Sequence, residues 1–260
     1  MQSWMGMTGT QEMMSRLIEI AREAGEAIME IYNGQIRVEK KDDDSPLTMA
    51  DLAAHHMIKE ALEELWPDIP VLSEEGGIPE HAVRSKWERF WLVDPLDGTK
   101  EFIKRNGEFT VNIALIEQNR PAMGVVHVPA RKTTYYGQSG NGSFRIRRNR
   151  DPERIYSNIP EAGQALNVVT SRSHGSEDLK GMLTEKGITV GEMIPAGSSL
   201  KFCLVAEGTA DLYPRLGPTM EWDTAAGDAV FRYSGRDGER KSPLEYNKES
   251  LLNDGFMIGL

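Results

Sequence analysis

Apolar residues at Met14, Leu17, Ile18, Ala21, Ala24, Ile28 and Ile31 recur at near-helical spacing, which predicts a helix over 11–32. Asn33-Gly34 supplies its stop. A polar loop follows at 42–45 with a turn at Ser45-Pro46. A second helix is expected from Thr48 to Leu65, halted by Trp66-Pro67-Asp68. Short apolar runs then take over. Val71-Leu72-Ser73 reads as a strand that delivers Glu74-Glu75 into the Gly76-Gly77 loop, and Phe90–Val93 as a buried strand broken by Asp94-Pro95. Thr110–Ile116, Ala122–Val128 and Thr133–Gly137 are β-rich with turn signals between them, a spacing that predicts an antiparallel meander.

Arg145–Gly163, rich in Arg, Asp, Pro and Asn, marks the expected junction between two halves, 1–155 and 156–260. Beyond it the rhythm becomes strand–helix alternation. Strands are expected at Asn167–Thr170 and Ala210–Tyr213, and helices at Ser176–Lys186, Ser198–Glu207 and Asp223–Tyr233. This pattern predicts an α+β first half and an α/β second half with partly parallel strands and a cleft between them.

Composition narrows the function classes. A chain of 260 residues with 39% hydrophobic content suits a soluble globular protein with a sizeable core. Its apolar runs are too short to span a bilayer, and Met1–Thr10 lacks a basic region followed by an apolar stretch. The single cysteine, Cys203, excludes an intramolecular disulfide and reads as a helix core residue. Together these favour the cytoplasm. The formal charge of −10 argues against nucleic-acid polymers. It leaves small phosphorylated substrates open, because carboxylates gathered around divalent cations make a locally positive site.

The candidate chemistry begins at Trp91-Leu92-Val93-Asp94-Pro95-Leu96-Asp97-Gly98-Thr99. An apolar strand ends in Asp94, and Asp97 follows across a turn that Gly98 permits. Both carboxylates can converge on one cation, and hard oxygen ligands suit Mg²⁺. Gly98 and Thr99 then open a short helix through Lys104, whose first N–H groups favour an anion. The same two aspartates are equally compatible with capping a turn. Taken singly, Asp223 reads as a helix N-cap, Glu74 as a solvated loop charge, and Asp51 as an acidic residue of a first helical turn.

The order and spacing of Thr48-Met49-Ala50-Asp51, Leu72-Ser73-Glu74-Glu75, Asp94–Thr99 and Glu221-Trp222-Asp223-Thr224-Ala225-Ala226-Gly227 resemble the inositol monophosphatase superfamily. The longer stretches Lys100–Asn112 and Gly197–Gly208 are similar to its bacterial 3′(2′),5′-bisphosphate nucleotidases. The resemblance implies a layered αβαβα fold with an antiparallel N-terminal sheet and a mixed C-terminal sheet. It implies a metal-binding first half and a substrate-binding second half, with two to three Mg²⁺ ions. One ion falls to Glu74, Asp94 and the Leu96 carbonyl, a second to Asp94, Asp97 and Asp223, and a weaker third near Glu74 through water. Asp51 and Thr99 are implied to orient the attacking water, and the Gly98 and Thr99 amides to hold the phosphoryl oxygens.

The implied reaction is hydrolysis of adenosine 3′,5′-bisphosphate to AMP and phosphate, with the sulfated analogue as a further substrate and sensitivity to Li⁺. Such an activity would clear a by-product of sulfate assimilation. Candidates for the rest of the substrate are Ser171 and Arg172 in the loop Thr170–His174, Ser198 and Ser199 before a helix, Lys201 within it, and Arg215. Inositol-specific members place an acidic residue near Arg215, and a cation there suits a second phosphate better than a polyol. Ordinary surface charge is the alternative for Lys201 and Arg215; His55 and His56 read as solvated or packing residues. Inositol monophosphate or fructose 1,6-bisphosphate hydrolysis, and metal-dependent nucleotide binding without turnover, remain competing readings. Oligomerisation is left open, as is peripheral contact with the cytoplasmic face of the inner membrane, although no amphipathic basic segment stands out.

Overall fold

The structure, a computed structural model, describes residues 9–34, 38–40, 46–148, 150–172 and 176–259. The loop expected at 42–45, with its Ser45-Pro46 turn, lies outside the described residues, as do Ser173 and His174. Helix α1 spans Gly9–Asn33 and α2 spans Met49–Leu65, separated by the antiparallel pair β1 (Val38–Lys40) and β2 (Pro46–Thr48). Next come β3 (Val71–Ser73), α3 (His81–Arg84), β4 (Arg89–Asp97) and α4 (Thr99–Ile103). The strands β5 (Thr110–Glu117), β6 (Arg120–Val128), β7 (Thr133–Gln138), β8 (Gly142–Arg147) and β9 (Glu153–Arg154) complete a sheet ordered β3-β4-β5-β6-β7-β8-β9. Every neighbouring pair in it is antiparallel except β3 and β4, which are parallel. The meander expected from the sequence is its centre.

Both faces of this sheet are covered, which explains strands that are apolar throughout rather than alternating. Trp91, Val93, Val111, Ile113 and Val125 pack with Leu17, Ala21, Ala24, Ile58 and Leu62 of α1 and α2. Phe90, Leu92, Ala114, Ile116 and Val126 face the other way. The second half supplies what covers them. It runs β10 (Leu166–Ser171), α5 (Ser176–Glu185), β11 (Val190–Ala196), α6 (Leu200–Ala206), β12 (Tyr213–Arg215), β13 (Thr219–Met220), α7 (Trp222–Arg232), β14 (Leu252–Asn253) and β15 (Phe256–Ile258). Here β10 and β11 are parallel, Val168 bridges Leu212 in parallel, and β12 pairs antiparallel with β15, so this layer is mixed. Val169 joins the core beneath α6 and α7, whereas Val168 packs with Leu179 and Leu183 of α5. The resulting layers are α1/α2, the large sheet, α6/α7, the mixed strands, and α5: the expected αβαβα order. No helix among the described residues is long and apolar enough to cross a membrane.

Two local differences from expectation matter for the site. First, β4 does not break at Asp94-Pro95 but continues to Asp97, and its register against β5 jumps from Asp94↔Asn112 to Asp97↔Thr110. Pro95 and Leu96 of β4 thus oppose the single residue Val111 of β5. Pro95 falls inside this bulge, where its missing N–H costs no ladder bond. In a regular strand, residues three apart point to opposite faces; the extra residue turns Asp97 back toward the side of Asp94. Second, α6 begins at Leu200 rather than Ser198, because Ser198 has a left-handed φ of 48°.

Helix α7 sits unusually close to the sheet. A Cβ on Gly124 would lie 2.8 Å from the Ala226 carbonyl oxygen, and one on Gly137 would lie 2.5 Å from that of Ala229. The small residues Ala226 and Ala229 on the helix match this approach, while Gly227 admits Phe202 of α6 on another side. Gly137→Val is therefore expected to push α7 outward and lower stability by about 1–3 kcal/mol, read as a fall in the urea midpoint. A midpoint equal to the wild type would contradict this packing.

Candidate active site

The site forms where three chain segments end together. Parallel pairing of β3 with β4 sets Ser73 opposite Val93, and the Glu74 N–H donates to the Val93 carbonyl at 3.1 Å. Glu74 is thereby laid beside Asp94. The close packing of α7 brings its first turn, with Asp223, to the same place. Carboxylate oxygens of Glu74, Asp94 and Asp223 all lie within 4.8 Å of one another. Asp94 is buried, and its Oδ1 accepts the Leu96 N–H at 3.1 Å, holding the bulge in shape.

Asp97 occupies the other side of the bulge. Its Oδ2 accepts the Ser199 N–H at 2.7 Å and the Ser199 hydroxyl at 3.1 Å, and Ser199 Oγ also lies 2.7 Å from the Asp223 carbonyl. Ser199 thus bridges the strand that carries Asp97 and the helix that carries Asp223. The Asp223 carboxylate accepts the Met220 N–H at 2.9 Å. Asp51 is buried in the first turn of α2 and lies near enough to Asp94 to act on its ionisation. Gly98, with a left-handed φ of 92°, leads into α4; a Cβ there would fall 2.3 Å from Ser198 Oγ. Thr99 follows as the first residue of α4.

Like charges crowd this pocket. Burial pushes Asp94 well above the usual carboxylate range, and Glu74, Asp97, Asp223 and Asp51 push it further. Burial, with Asp97 and Glu74 adding repulsion, raises Asp223 to about 8, against the opposing Met220 N–H and Arg215. Asp97 is raised by burial, opposed by Lys201 and the Ser199 bonds. Such a cluster of hard oxygen donors fits a divalent cation: a bound ion replaces the repulsion with attraction and keeps all the carboxylates ionised.

The cationic candidates lie next to it. Asp97, Gly98, Ser171, Ser198, Lys201, Arg215 and Asp223 all line one cavity of about 190 Å³. Lys201 is buried, and its Nζ donates to the Ser198 carbonyl at 2.6 Å. Burial draws its pKa below the usual lysine range, helped by Arg215 and opposed by Asp97. Arg215 is held by the carbonyls of Gly217 and Pro218, each at 3.1 Å. It also borders a larger groove of about 1060 Å³ lined by Leu216, Leu244, Phe256 and Met257. Arg172 makes a bidentate pair with Glu108, Nε at 2.6 Å and Nη2 at 2.7 Å. The amides of Gly197 and Ser199 donate to the carboxylates of Glu108 and Asp97.

Two further sequence readings find their places. His55 is buried with Nδ1 2.9 Å from Ser73 Oγ, under the turn that presents Glu74. Cys203 is buried in α6, and burial holds its thiol well above the usual range, which suits a packing residue and not a nucleophile. Glu108 was not anticipated. Its only sequence signal is an acidic residue placed two positions before the largely apolar strand β5.

The description "Inositol monophosphatase family" fits residues 10–239. The chain belongs to the inositol monophosphatase family. It is 50% identical over 252 residues to the 3′(2′),5′-bisphosphate nucleotidase CysQ of Salmonella typhimurium strain LT2, covering 95% of this chain and 99% of that one. To the protein of the same name in Escherichia coli K12 it is 48% identical over 254 residues, covering 95% of this chain and all of the relative (100%). The crystal structure of CysQ from Bacteroides thetaiotaomicron superposes with a TM-score of 0.77 at 41% identity, covering 94% of this chain and 95% of that one.

The raised carboxylates have a consequence for pH. Because Asp94 and Asp223 hold protons in the folded, ion-free protein that the unfolded chain has already released, stability falls as pH rises from about 4 toward 8. Thermal unfolding in EDTA is expected to show that decline, and added Mg²⁺ is expected to raise Tm more at pH 8 than at pH 5. Asp223→Asn should flatten the dependence; an unchanged slope would contradict the clustering.

Proposed function

We propose that the protein is a Mg²⁺-dependent phosphomonoesterase that hydrolyses adenosine 3′,5′-bisphosphate to AMP and inorganic phosphate, and accepts the sulfated analogue. The observation that carries the reading is that Asp223, one of the clustered carboxylates Glu74, Asp94 and Asp223, lines one cavity together with Asp97, Lys201 and Arg215. The carboxylates would hold a metal, and the cations beside them would take a second anionic group. Near-half identity to proteins named 3′(2′),5′-bisphosphate nucleotidases supports the same substrate class.

Glu74, Asp94, Asp97, Asp223 and the Leu96 carbonyl would hold two to three Mg²⁺ ions. When bound, such ions reduce the repulsion between water and phosphate dianion, acidify the water and stabilise the departing oxygen. The chain's own groups then set the geometry. Asp51 accepts the hydroxyl proton of Thr99, which leaves Thr99 Oγ a lone pair with which to orient the attacking water. The Gly98 and Thr99 N–H groups face the phosphoryl oxygens, whose negative charge grows as the bond breaks. Lys201 and Arg215 take the second phosphate, with the hydroxyls of Ser171 and Ser198 at the rim and Arg172 beyond them, while Ser199 lies behind, bound to Asp97 and the Asp223 carbonyl. The apolar groove past Arg215 offers a surface to the adenine.

Water attacks phosphorus in line, and the nucleoside oxygen leaves with a proton, so no covalent intermediate with the protein forms. Phosphate release should be fastest with adenosine 3′,5′-bisphosphate and at least about tenfold slower, in kcat/KM, with inositol 1-phosphate or fructose 1,6-bisphosphate. Thr99→Ala should lower kcat by about 10²-fold, and Asp94→Asn should reduce release to background. A preference for inositol phosphate, or full activity of Asp94→Asn, would overturn the proposal.

A further inference from the structure

The buried carboxylate of Glu108 holds together a part of the site that the proposed chemistry does not explain. It lies in the turn before β5, with its side chain only 5% exposed. Oε1 accepts Arg131 Nη2 at 2.8 Å and Arg172 Nη2 at 2.7 Å, and Oε2 accepts Arg172 Nε at 2.6 Å and the Gly197 N–H at 3.0 Å. Its main-chain carbonyl accepts the Ser198 hydroxyl at 2.5 Å. Two consecutive residues of the 197–199 segment are therefore bound to this one glutamate, and the third, Ser199, is bound to Asp97. The segment lies tight against the turn: a Cβ on Gly197 would come within 2.9 Å of the Glu108 carbonyl oxygen and 2.8 Å of Glu101 Cγ.

A buried ion pair is weak evidence for stability, because desolvation offsets most of the attraction. Its value here is directional. A carboxylate with both oxygens occupied fixes where Gly197 lies, the Glu108 and Asp97 main-chain carbonyls hold the Ser198 hydroxyl, and from that position Ser199 reaches Asp97 and the Asp223 carbonyl. We propose that Glu108 is a positioning residue for hydrolysis, drawing the 197–199 segment inward so that Ser199 keeps Asp97 and the start of α7 in register. Arg131 and Arg172 act by holding the carboxylate in place. The inference rests on the phosphomonoesterase reading of the site.

The test is a double-mutant cycle with Glu108→Gln and Ser199→Ala, following kcat and KM for adenosine 3′,5′-bisphosphate and Mg²⁺ affinity by calorimetry without substrate. Each single variant is expected to lose about 10- to 100-fold in kcat, with KM changed less than about twofold. Each should also bind Mg²⁺ more weakly. The double variant should be no worse than the poorer single, because both changes break one chain of contacts. Multiplying losses would overturn the proposal. So would a Glu108→Gln variant that raises KM at unchanged kcat, since the glutamate would then serve substrate binding through Arg172. If Glu108→Gln does not fold, Arg131→Met loosens the carboxylate from a half-exposed position; the same non-additivity with Ser199→Ala is expected at a loss of about threefold. If the wild type releases no phosphate from the nucleotide, the functional reading fails on its own. The Mg²⁺ titrations of wild type and Glu108→Gln then still decide the positioning role, which equal affinities would refute.

Discussion

Mutual repulsion among buried and half-buried carboxylates is the constraint around which the molecule is built. Glu74, Asp94 and Asp223 come from a strand end, a strand bulge and a helix start that are distant in sequence, yet their oxygens lie within 4.8 Å of one another. No fold gathers such groups at no cost, since each loses water and gains like-charged neighbours. The surrounding packing has to hold them against that force. Parallel pairing of β3 with β4 fixes Glu74, the Leu96 N–H fixes Asp94, and the tight seat of α7 on Gly124 and Gly137 fixes Asp223. A divalent cation turns the same arrangement from strained to favourable.

The second half of the chain contributes opposite charge and a link. Lys201 is buried within reach of Asp97, and Arg215 stands between the small cavity and the larger groove. Charges of both signs are therefore available to one ligand, which suits a molecule with two phosphoryl groups better than a neutral polyol. Ser199 joins the two sides, its N–H donating to Asp97 and its hydroxyl to the Asp223 carbonyl. The geometry of the anionic side is thus tied to a segment whose Gly197 and Ser198 line the cavity shared with Lys201 and Arg215.

Much of this was legible in the sequence, and what escaped notice has physical causes. Periodicity marked α1, α2 and the central strands because each buries an apolar face or stripe. Asp94, Asp97, Glu74 and Asp223 were legible only as a set in order along the chain, since each alone resembles a turn or cap residue. Pro95 misled, because a proline normally ends a strand, and only the register against β5 reveals the bulge that accommodates it. The strands β1, β2, β8, β9, β11, β13, β14 and β15 were not foreseen: most are only two or three residues long, and Gly142–Arg147 carries Arg145, which pairs with Glu153 and Glu207. Glu108 escaped because its partners Arg131, Arg172 and Gly197 lie 23 to 89 positions away.

The central claim is that the Glu74–Asp94–Asp223 cluster is a divalent-cation site and not merely a group of strained acids. Crystals grown with Mn²⁺ in place of Mg²⁺, measured for anomalous scattering, test this directly. The account predicts an anomalous peak between the oxygens of these three residues, and its loss in crystals of Asp94→Asn. Crystals of the wild type with no peak at the cluster, or a peak that persists unchanged in Asp94→Asn, would contradict it.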